Sequence, residues 1–410
     1  MLERARQLDA ADPLSGCRQL FDIPDGVIYL DGNSLGALPR RTPARLAEVV
    51  EEEWGEGLIR SWNSADWIGL PQRIGAKIAP LIGAAPHEVI ATDSTSVNLF
   101  KLIAAALAMQ AQASGTRRKT ILSEPGNFPT DLYMIAGLEA QGLATRRLAA
   151  PPHLAAALDA DVALLLLTHV HYKSGALHDM RALTRAAHQA GALVLWDLSH
   201  SAGALPVDLN GCEADFAVGC GYKYLNGGPG APAFAFVAQR HHAALQQPLT
   251  GWMGHAAPFS FSDDYAPGAG MDRLLCGTPP ILALAALDVG VDIVAQIGVE
   301  RLYAKSQQLS EFLRLCLNEL GVDLDLASPP DPAQRGSQLS FPHPEAFSLS
   351  QALIARGVIG DFRDPDILRL GFAPAYLRFT DIAHAARHLA EALRNEEWRR
   401  EEFRERAAVT

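Results

Sequence analysis

Between about Glu88 and Val237, short apolar runs alternate with helical patterns, and this rhythm organises the chain. The runs Val89-Ile-Ala, Lys119-Thr-Ile-Leu, Val162-Ala-Leu-Leu-Leu-Leu, Ala192-Leu-Val-Leu-Trp and Phe216-Ala-Val predict strands. They are continuously apolar rather than alternating, so both faces of each strand are expected to be covered. That is the signature of an α/β domain built on a mostly parallel sheet. In such sheets ligands sit just beyond the carboxyl ends of the strands, which is where chemistry is sought. After about residue 290 the rhythm changes to a long helix over 299–320, a strand at Gln338-Leu-Ser-Phe, a helix over 348–356, a strand at Ile367-Leu-Arg-Leu and an amphipathic helix from Asp381. This pattern predicts a second, smaller α+β domain. The charged tail Asn395-Glu-Glu-Trp-Arg-Arg-Glu-Glu-Phe-Arg-Glu-Arg mixes signs at helical spacing and predicts a solvated helical face.

Composition narrows the class. With 410 residues, 49% hydrophobic and 20% charged, the chain can bury a large core and is neither disordered nor coiled coil. A net charge of −11 repels phosphate backbones and anionic membranes, so no nucleic-acid or membrane partner is expected. The N-terminus lacks the apolar stretch of a secretory signal, and no apolar run approaches the roughly 20 residues that span a bilayer, so a cytoplasmic location is expected. The five cysteines are widely separated, with no Cys-x-x-Cys pair. They predict buried small hydrophobes rather than disulfides or a zinc site.

The predicted strand ends carry polar groups. After Val89-Ile-Ala comes Thr92-Asp-Ser-Thr-Ser-Val-Asn98 and a helix, so Thr95 and Ser96 can cap that helix or cup a phosphate at its positive end. The next strand leads into Phe128, Pro129, Thr130 and Asp131, where Phe128 can stack on a flat ligand or anchor the loop. Asp197 and His200 leave the fourth predicted strand, the aspartate serving as a helix cap or as a charge partner for a ligand cation. Lys223 lies in the glycine-rich Gly219-Cys-Gly-Tyr-Lys-Tyr-Leu-Asn-Gly-Gly-Pro-Gly230, where a lysine amine near an aspartate suits Schiff-base chemistry. Phosphate cup, aromatic plate, acid and amine together are the four parts that hold pyridoxal phosphate. The pair His169-Val-His171 lacks the partners of a metal motif, and no metal is expected.

These motifs, with Leu30-Asp-Gly-Asn-Ser-Leu-Gly36, Phe128-Pro-Thr-Asp131, Trp196-Asp-Leu-Ser-His200, Gly221-Tyr-Lys-Tyr-Leu-Asn226, Gly251-Trp-Met-Gly-His255 and Gly277-Thr-Pro-Pro280, resemble those of the kynureninases over nearly the whole length. The resemblance implies a fold-type I pyridoxal-phosphate enzyme of the class V aminotransferase-like superfamily. It implies an N-terminal segment over 1–50 contributing to the small domain and active site, a large cofactor-binding domain over 51–290 and a small domain over 291–410. It further implies hydrolysis of L-kynurenine, and of its 3-hydroxy form as a second candidate, to the anthranilate and L-alanine in tryptophan breakdown.

In that family's pattern Lys223 forms the imine with the cofactor aldehyde and Asp197 pairs with the pyridine nitrogen. Thr95, Ser96, Phe128, Pro129, Thr130, Asp131, Thr168, His200 and Tyr222 line the cofactor. Trp252 and Thr278 reach the phosphate region of the neighbouring subunit's site, in a homodimer with shared active sites. Lys223 is the natural base for the α-proton, and Tyr222 is the candidate acid/base for cleavage of the hydrated ketone. Arg369 is the expected clamp for the substrate carboxylate, with Arg378 second, and Ser34 and Trp62 are expected near the aryl amine. A cysteine desulfurase or aminotransferase of the same fold, and a non-catalytic pyridoxal-binding sensor, are the alternatives. The desulfurases carry a histidine before the lysine and a mobile cysteine, whereas Tyr222 stands at the first of these positions here.

Overall fold

A computed structural model describes residues 1–114 and 118–406. Seven strands, β1 (Val89–Ala91), β2 (Thr120–Ser123), β3 (Thr145–Leu148), β4 (Val162–Thr168), β5 (Leu193–Asp197), β6 (Phe216–Gly219) and β7 (Phe234–Val237), form one sheet in the order β1-β7-β6-β5-β4-β2-β3. β7 runs antiparallel to both of its neighbours, and the other pairings are parallel. The continuous apolar runs are explained by burial on both faces. Leu164, Leu166, Leu195, Phe216 and Val218 pack into one core, while Leu165, Leu167, Val194, Trp196 and Ala217 pack into a second. Successive residues thus point to opposite sides, as the two-residue period of a strand requires.

All five predicted strands are present, and two more join them. Thr145–Leu148 is largely exposed at the sheet edge, so it carries no apolar signal. Phe234–Val237 is fully buried but only four residues long.

The second sheet has three strands, β8 (Gln338–Pro342), β9 (Asp361–Arg363) and β10 (Ile367–Gly371), antiparallel in the order β8-β10-β9. Helices Ala346–Ala355 and Phe379–Arg394 accompany it, as the apolar spacing predicts. The beginning of the chain lies here too. Ile28–Tyr29 pairs in parallel with Val358–Ile359, and Asp9 Oδ1 accepts from the backbone of Phe379 at 2.6 Å. Gly371 is required by this approach, since a Cβ there would lie 1.8 Å from Asn33 Oδ1.

Two expectations are corrected. The charged tail is not one helix: it forms two short 3₁₀ turns, Glu397–Arg399 and Glu401–Phe403, with Arg356 pairing Glu397 and Glu391 and Phe403 buried. Of the five cysteines only Cys220 and Cys316 are buried; Cys17, Cys212 and Cys276 are partly exposed. No single helix among the described residues is long and apolar enough to cross a membrane.

At the amino end of β6, away from the strand ends that carry the motifs, Asp215 ties the sheet to its flanks. It accepts from Val194 N at 2.8 Å, His188 Nε2 at 2.8 Å, His241 Nε2 at 2.7 Å and Arg240 at 2.7 Å. Burial opposes its charge, but His188, His241 and Arg240 hold the carboxyl well below its usual range. Its hydrogen bond in turn raises the pKa of His188. The carboxylate's contribution is present above its unfolded value near pH 4 and is lost as pH falls through its lowered folded value. The His188 contribution is complete below about pH 6.5 and is lost as pH rises through its raised folded value. The difference in urea-unfolding free energy between wild type and Asp215→Asn is therefore expected to be largest between about pH 4 and 6.5. A difference that grows steadily above pH 7 would contradict this account.

Candidate active site

The parallel strands deliver their loops to one edge. A cleft of about 520 Å³ there is lined by Ser94, Thr95, Ser96, Phe128, Thr130, Thr168, Asp197, Ser199, His200, Tyr222 and Lys223. These residues follow the carboxyl ends of β1, β2, β4, β5 and β6, the position such sheets reserve for ligands.

The lysine is held on a constrained loop. Gly221 and Gly227 are needed for space, because a Cβ on Gly221 would lie 2.3 Å from Pro232 O and one on Gly227 would lie 2.8 Å from Gly221 O. The N-terminal segment closes over this loop: Gly36 N donates to Tyr222 O at 2.8 Å, and a Cβ on Gly36 would lie 2.4 Å from Lys223 O. Lys223 is buried, with Nζ 3.0 Å from His200 Nε2 and 5.6 Å from the Phe128 ring centroid. Burial and then the Lys223 charge push His200 well below the usual imidazole range, so its ring is neutral.

Asp197 is buried at the end of β5 and accepts from Ser199 N at 2.7 Å. Burial raises its pKa, while Ser199 and the Lys223 ammonium act to lower it. Asp131 lies behind it, fully buried, with Thr168 Oγ1 3.0 Å from Oδ2. Burial and the neighbouring Asp197 raise Asp131 well above the usual carboxyl range. Burial likewise pushes the Tyr222 phenol up, keeping its proton.

The hydroxyls of Ser94, Thr95 and Ser96 stand at the start of helix Thr95–Ser114, where Ser94 Oγ accepts from Val97 N at 3.3 Å. This turn is anchored from below. Lys101, wholly buried on that helix, pairs with Asp93 at 2.5 Å and donates to Leu274 O.

A second cluster comes from the N-terminal segment and the three-stranded sheet. Arg369 on β10 stands directly across from Asp361 on β9. Its Nε donates to Asp361 Oδ1 at 2.8 Å, Nη1 to Tyr172 O at 2.7 Å, and Nη2 to Ser34 Oγ at 2.7 Å and to Asp361 Oδ2. The Tyr172 ring meets the Phe128 ring edge-on with centroids 5.2 Å apart. The arginine cluster and the aromatic plate are thereby mechanically joined.

The expected residues divide accordingly. Thr95, Ser96, Phe128, Thr130, Thr168, Asp197, His200, Tyr222 and Lys223 share the cleft, while Asp131 supports it from behind and Pro129 begins helix Pro129–Ala140. Ser34 is brought to Arg369, not to a separate aryl subsite. Arg378 is not at the cleft: it stands just before helix Phe379–Arg394, where Asp381 accepts from its backbone N at 2.9 Å and from its Nη2 at 2.7 Å. Trp62 packs edge-on against Trp67 and lines no part of this chain's cleft. Trp252 and Thr278 are exposed and lie outside it as well. His169 and His171 are taken up by Ser201 Oγ and Gly126 O, each at 3.0 Å. Ser94, Ser199, Tyr172, Asp361 and Arg363 were not singled out from sequence. Ser94 and Ser199 lie inside motifs already recognised, whereas Asp361 and Arg363 become visible only through strand pairing.

The donor set fits pyridoxal phosphate. It offers an anion cup, a stacking ring, a buried acid and an amine around one cleft, and Asp131 Oδ1 and His200 Nδ1 are buried polar atoms without protein partners.

Comparison with known proteins agrees. Residues 302–389 match the family model described as the kynureninase C-terminal domain. The chain is 52% identical over 413 residues to kynureninase of Burkholderia mallei (strain SAVP1), covering 100% of this chain and 99% of that protein. It is 50% identical to kynureninase of Pseudomonas fluorescens, covering 98% of each. Among solved structures, the apo cysteine desulfurase from Thermococcus onnurineus NA1 superposes with a TM-score of 0.78 at 19% identity, over 93% of this chain and 98% of that one. A C-DES structure with glycine covalently linked to its PLP cofactor superposes at 0.79 with 18% identity, over 91% and 99%. The structural matches establish the fold, that of the fold-type I enzymes, and full-length identity at this level places the chain in the kynureninase family.

Proposed function

We propose that this protein binds pyridoxal 5′-phosphate and hydrolyses L-kynurenine to anthranilate and L-alanine. The observation that carries the reading is the convergence of Lys223 and Asp197 on one cleft, in a chain with kynureninase relatives along its whole length. The bound cofactor would supply an electron sink for carbon–carbon cleavage. Asp197 would hold a proton on the ring nitrogen from within an apolar wall, and Phe128 would cover one face of the ring. Ser94, Thr95 and Ser96 would take the phosphate, aided by the positive end of helix Thr95–Ser114.

Lys223 Nζ is placed to receive and return the α-proton, and neutral His200 beside it can accept a hydrogen bond without adding positive charge. Tyr222, protonated and adjacent to the lysine, is the group to assist addition of water to the side-chain ketone and to deliver a proton to the β-carbon as the aryl carboxylate, anthranilate, departs. Arg369 steers the α-carboxylate. Cysteine desulfurase chemistry is less well supported, since none of the five cysteines lines the cleft.

The remaining parts of the reading are a division at about residues 50 and 290, a cytoplasmic location and a homodimer. In that dimer Trp252 and Thr278 reach the partner's phosphate site, and exposed Trp252, Phe259, Phe261 and Tyr265 supply apolar surface beside it. The test is direct. Holoenzyme given L-kynurenine is expected to release fluorescent anthranilate and one equivalent of L-alanine, and parallel assays with 3-hydroxykynurenine rank the two substrates. Release of pyruvate, transamination or sulfur from cysteine in place of anthranilate would sink the reading.

A further inference from the structure

Arg369 is a strange clamp as it stands. It is 1% exposed, and four of its five N–H groups are engaged, two of them by Asp361. A guanidinium offers a carboxylate two parallel donors, and one remaining N–H cannot do that.

A second guanidinium lies beside it. Arg363, on β9 with Asp361, donates through Nη2 to Asp361 Oδ2 at 2.6 Å and to Ser34 Oγ at 2.9 Å. Its Nη1 has no hydrogen-bond partner among the described residues, its Nε is buried and unpartnered, and its side chain is one-third exposed. Asp361 therefore holds both arginines, but it commits Arg369 through two edges and Arg363 through one nitrogen. The positive charge of Arg363 reaches the catalytic cleft, where it opposes protonation of His200 and favours ionisation of Tyr222. Charge is in surplus as well. Burial and Asp361 push Asp31 up to about 7, so below that pH two guanidinium charges face the single carboxylate of Asp361.

Building on the proposed hydrolysis, we propose that Arg363 is a substrate-binding residue, meeting the α-carboxylate of the amino acid with its free Nη1 beside the one open N–H of Arg369. The two arginines would then share one carboxylate, and Asp361 and Ser34 would hold them at a fixed spacing.

The experiment compares Arg363→Gln and Arg363→Lys with wild-type holoenzyme, using kynurenine and its decarboxylated amine analogue as a competitive inhibitor. Losing a charge-assisted hydrogen bond to a carboxylate predicts a KM for kynurenine raised about 10- to 100-fold in Arg363→Gln. The inhibition constant of the analogue, which has no carboxylate, is expected to stay within about twofold, and Arg363→Lys to recover part of the loss. Equal weakening of both ligands, or an unchanged KM, would overturn the assignment. Titration with L-alanine and with ethylamine, followed by the cofactor's absorption, gives the same answer without turnover. A wild-type protein that fails to release anthranilate would therefore count against the proposed reaction and leave Arg363 to be judged by those titrations.

Discussion

Lys223→Ala is expected to abolish kynurenine hydrolysis and to remove the yellow absorbance of the lysine-bound cofactor, while leaving the protein folded. The amine performs two tasks in the proposed reaction, covalent exchange with the substrate and proton transfer at its α-carbon. Proton transfer alone is worth about 10² to 10⁴ in rate. Both tasks depend on Nζ reaching the same point, 3.0 Å from His200 and over the Phe128 ring. Without the ammonium, Asp197 and Asp131 lose the nearby positive charge that favours their ionised forms, and both are expected to titrate at higher pH. Rapid-mixing assays and an absorption spectrum of the reconstituted variant check this. Turnover that survives the substitution would remove Lys223 from the mechanism.

Arg369→Gln is expected to damage both function and stability. Asp361 is buried, and although burial opposes its charge, Arg369 is the largest influence that keeps the carboxyl low. Removing the guanidinium leaves that carboxylate beside Asp31 with Arg363 alone, and breaking a buried pair from one side costs about 3–5 kcal/mol. Substrate binding loses its carboxylate partner as well, a penalty of about 2–4 kcal/mol in kcat/KM. The double variant Asp361→Asn with Arg369→Gln should recover part of the stability but not the catalysis, since the neutral pair no longer strands a charge. Urea unfolding and steady-state kinetics on the two variants separate these effects. Equal recovery of both would show that Arg369 supports the fold without touching the substrate.

The large sheet was readable because one of its interior strands, β4, is seven buried residues without interruption, a pattern that few alternatives explain. The polar edge strand Thr145–Leu148 was not, because an edge exposed to water has no need of apolar side chains. The cofactor cleft was readable for a related reason. Each of its residues ends a strand or lies in the loop or first helical turn that follows it, so a local stretch of sequence holds both the strand and the site residue. Arg363 and Asp361 were hidden because their meaning lies in a register, Asp361 opposite Arg369 across an antiparallel pair, which no local window contains. Arg378 stood second to Arg369 from sequence, and the structure sets it at the start of helix Phe379–Arg394, paired with Asp381. Residues in the loops after the strands could be found, whereas the cross-strand partners that hold Arg369 could not.

The bond between Ser34 and Arg369 joins residues 335 positions apart. A link of that span forms only after nearly all of the chain has been synthesised, and topologies dominated by distant pairings fold slowly. Every residue lining the lysine cleft lies between positions 94 and 223, so the arginine that grips the substrate is the last part of the site to leave the ribosome.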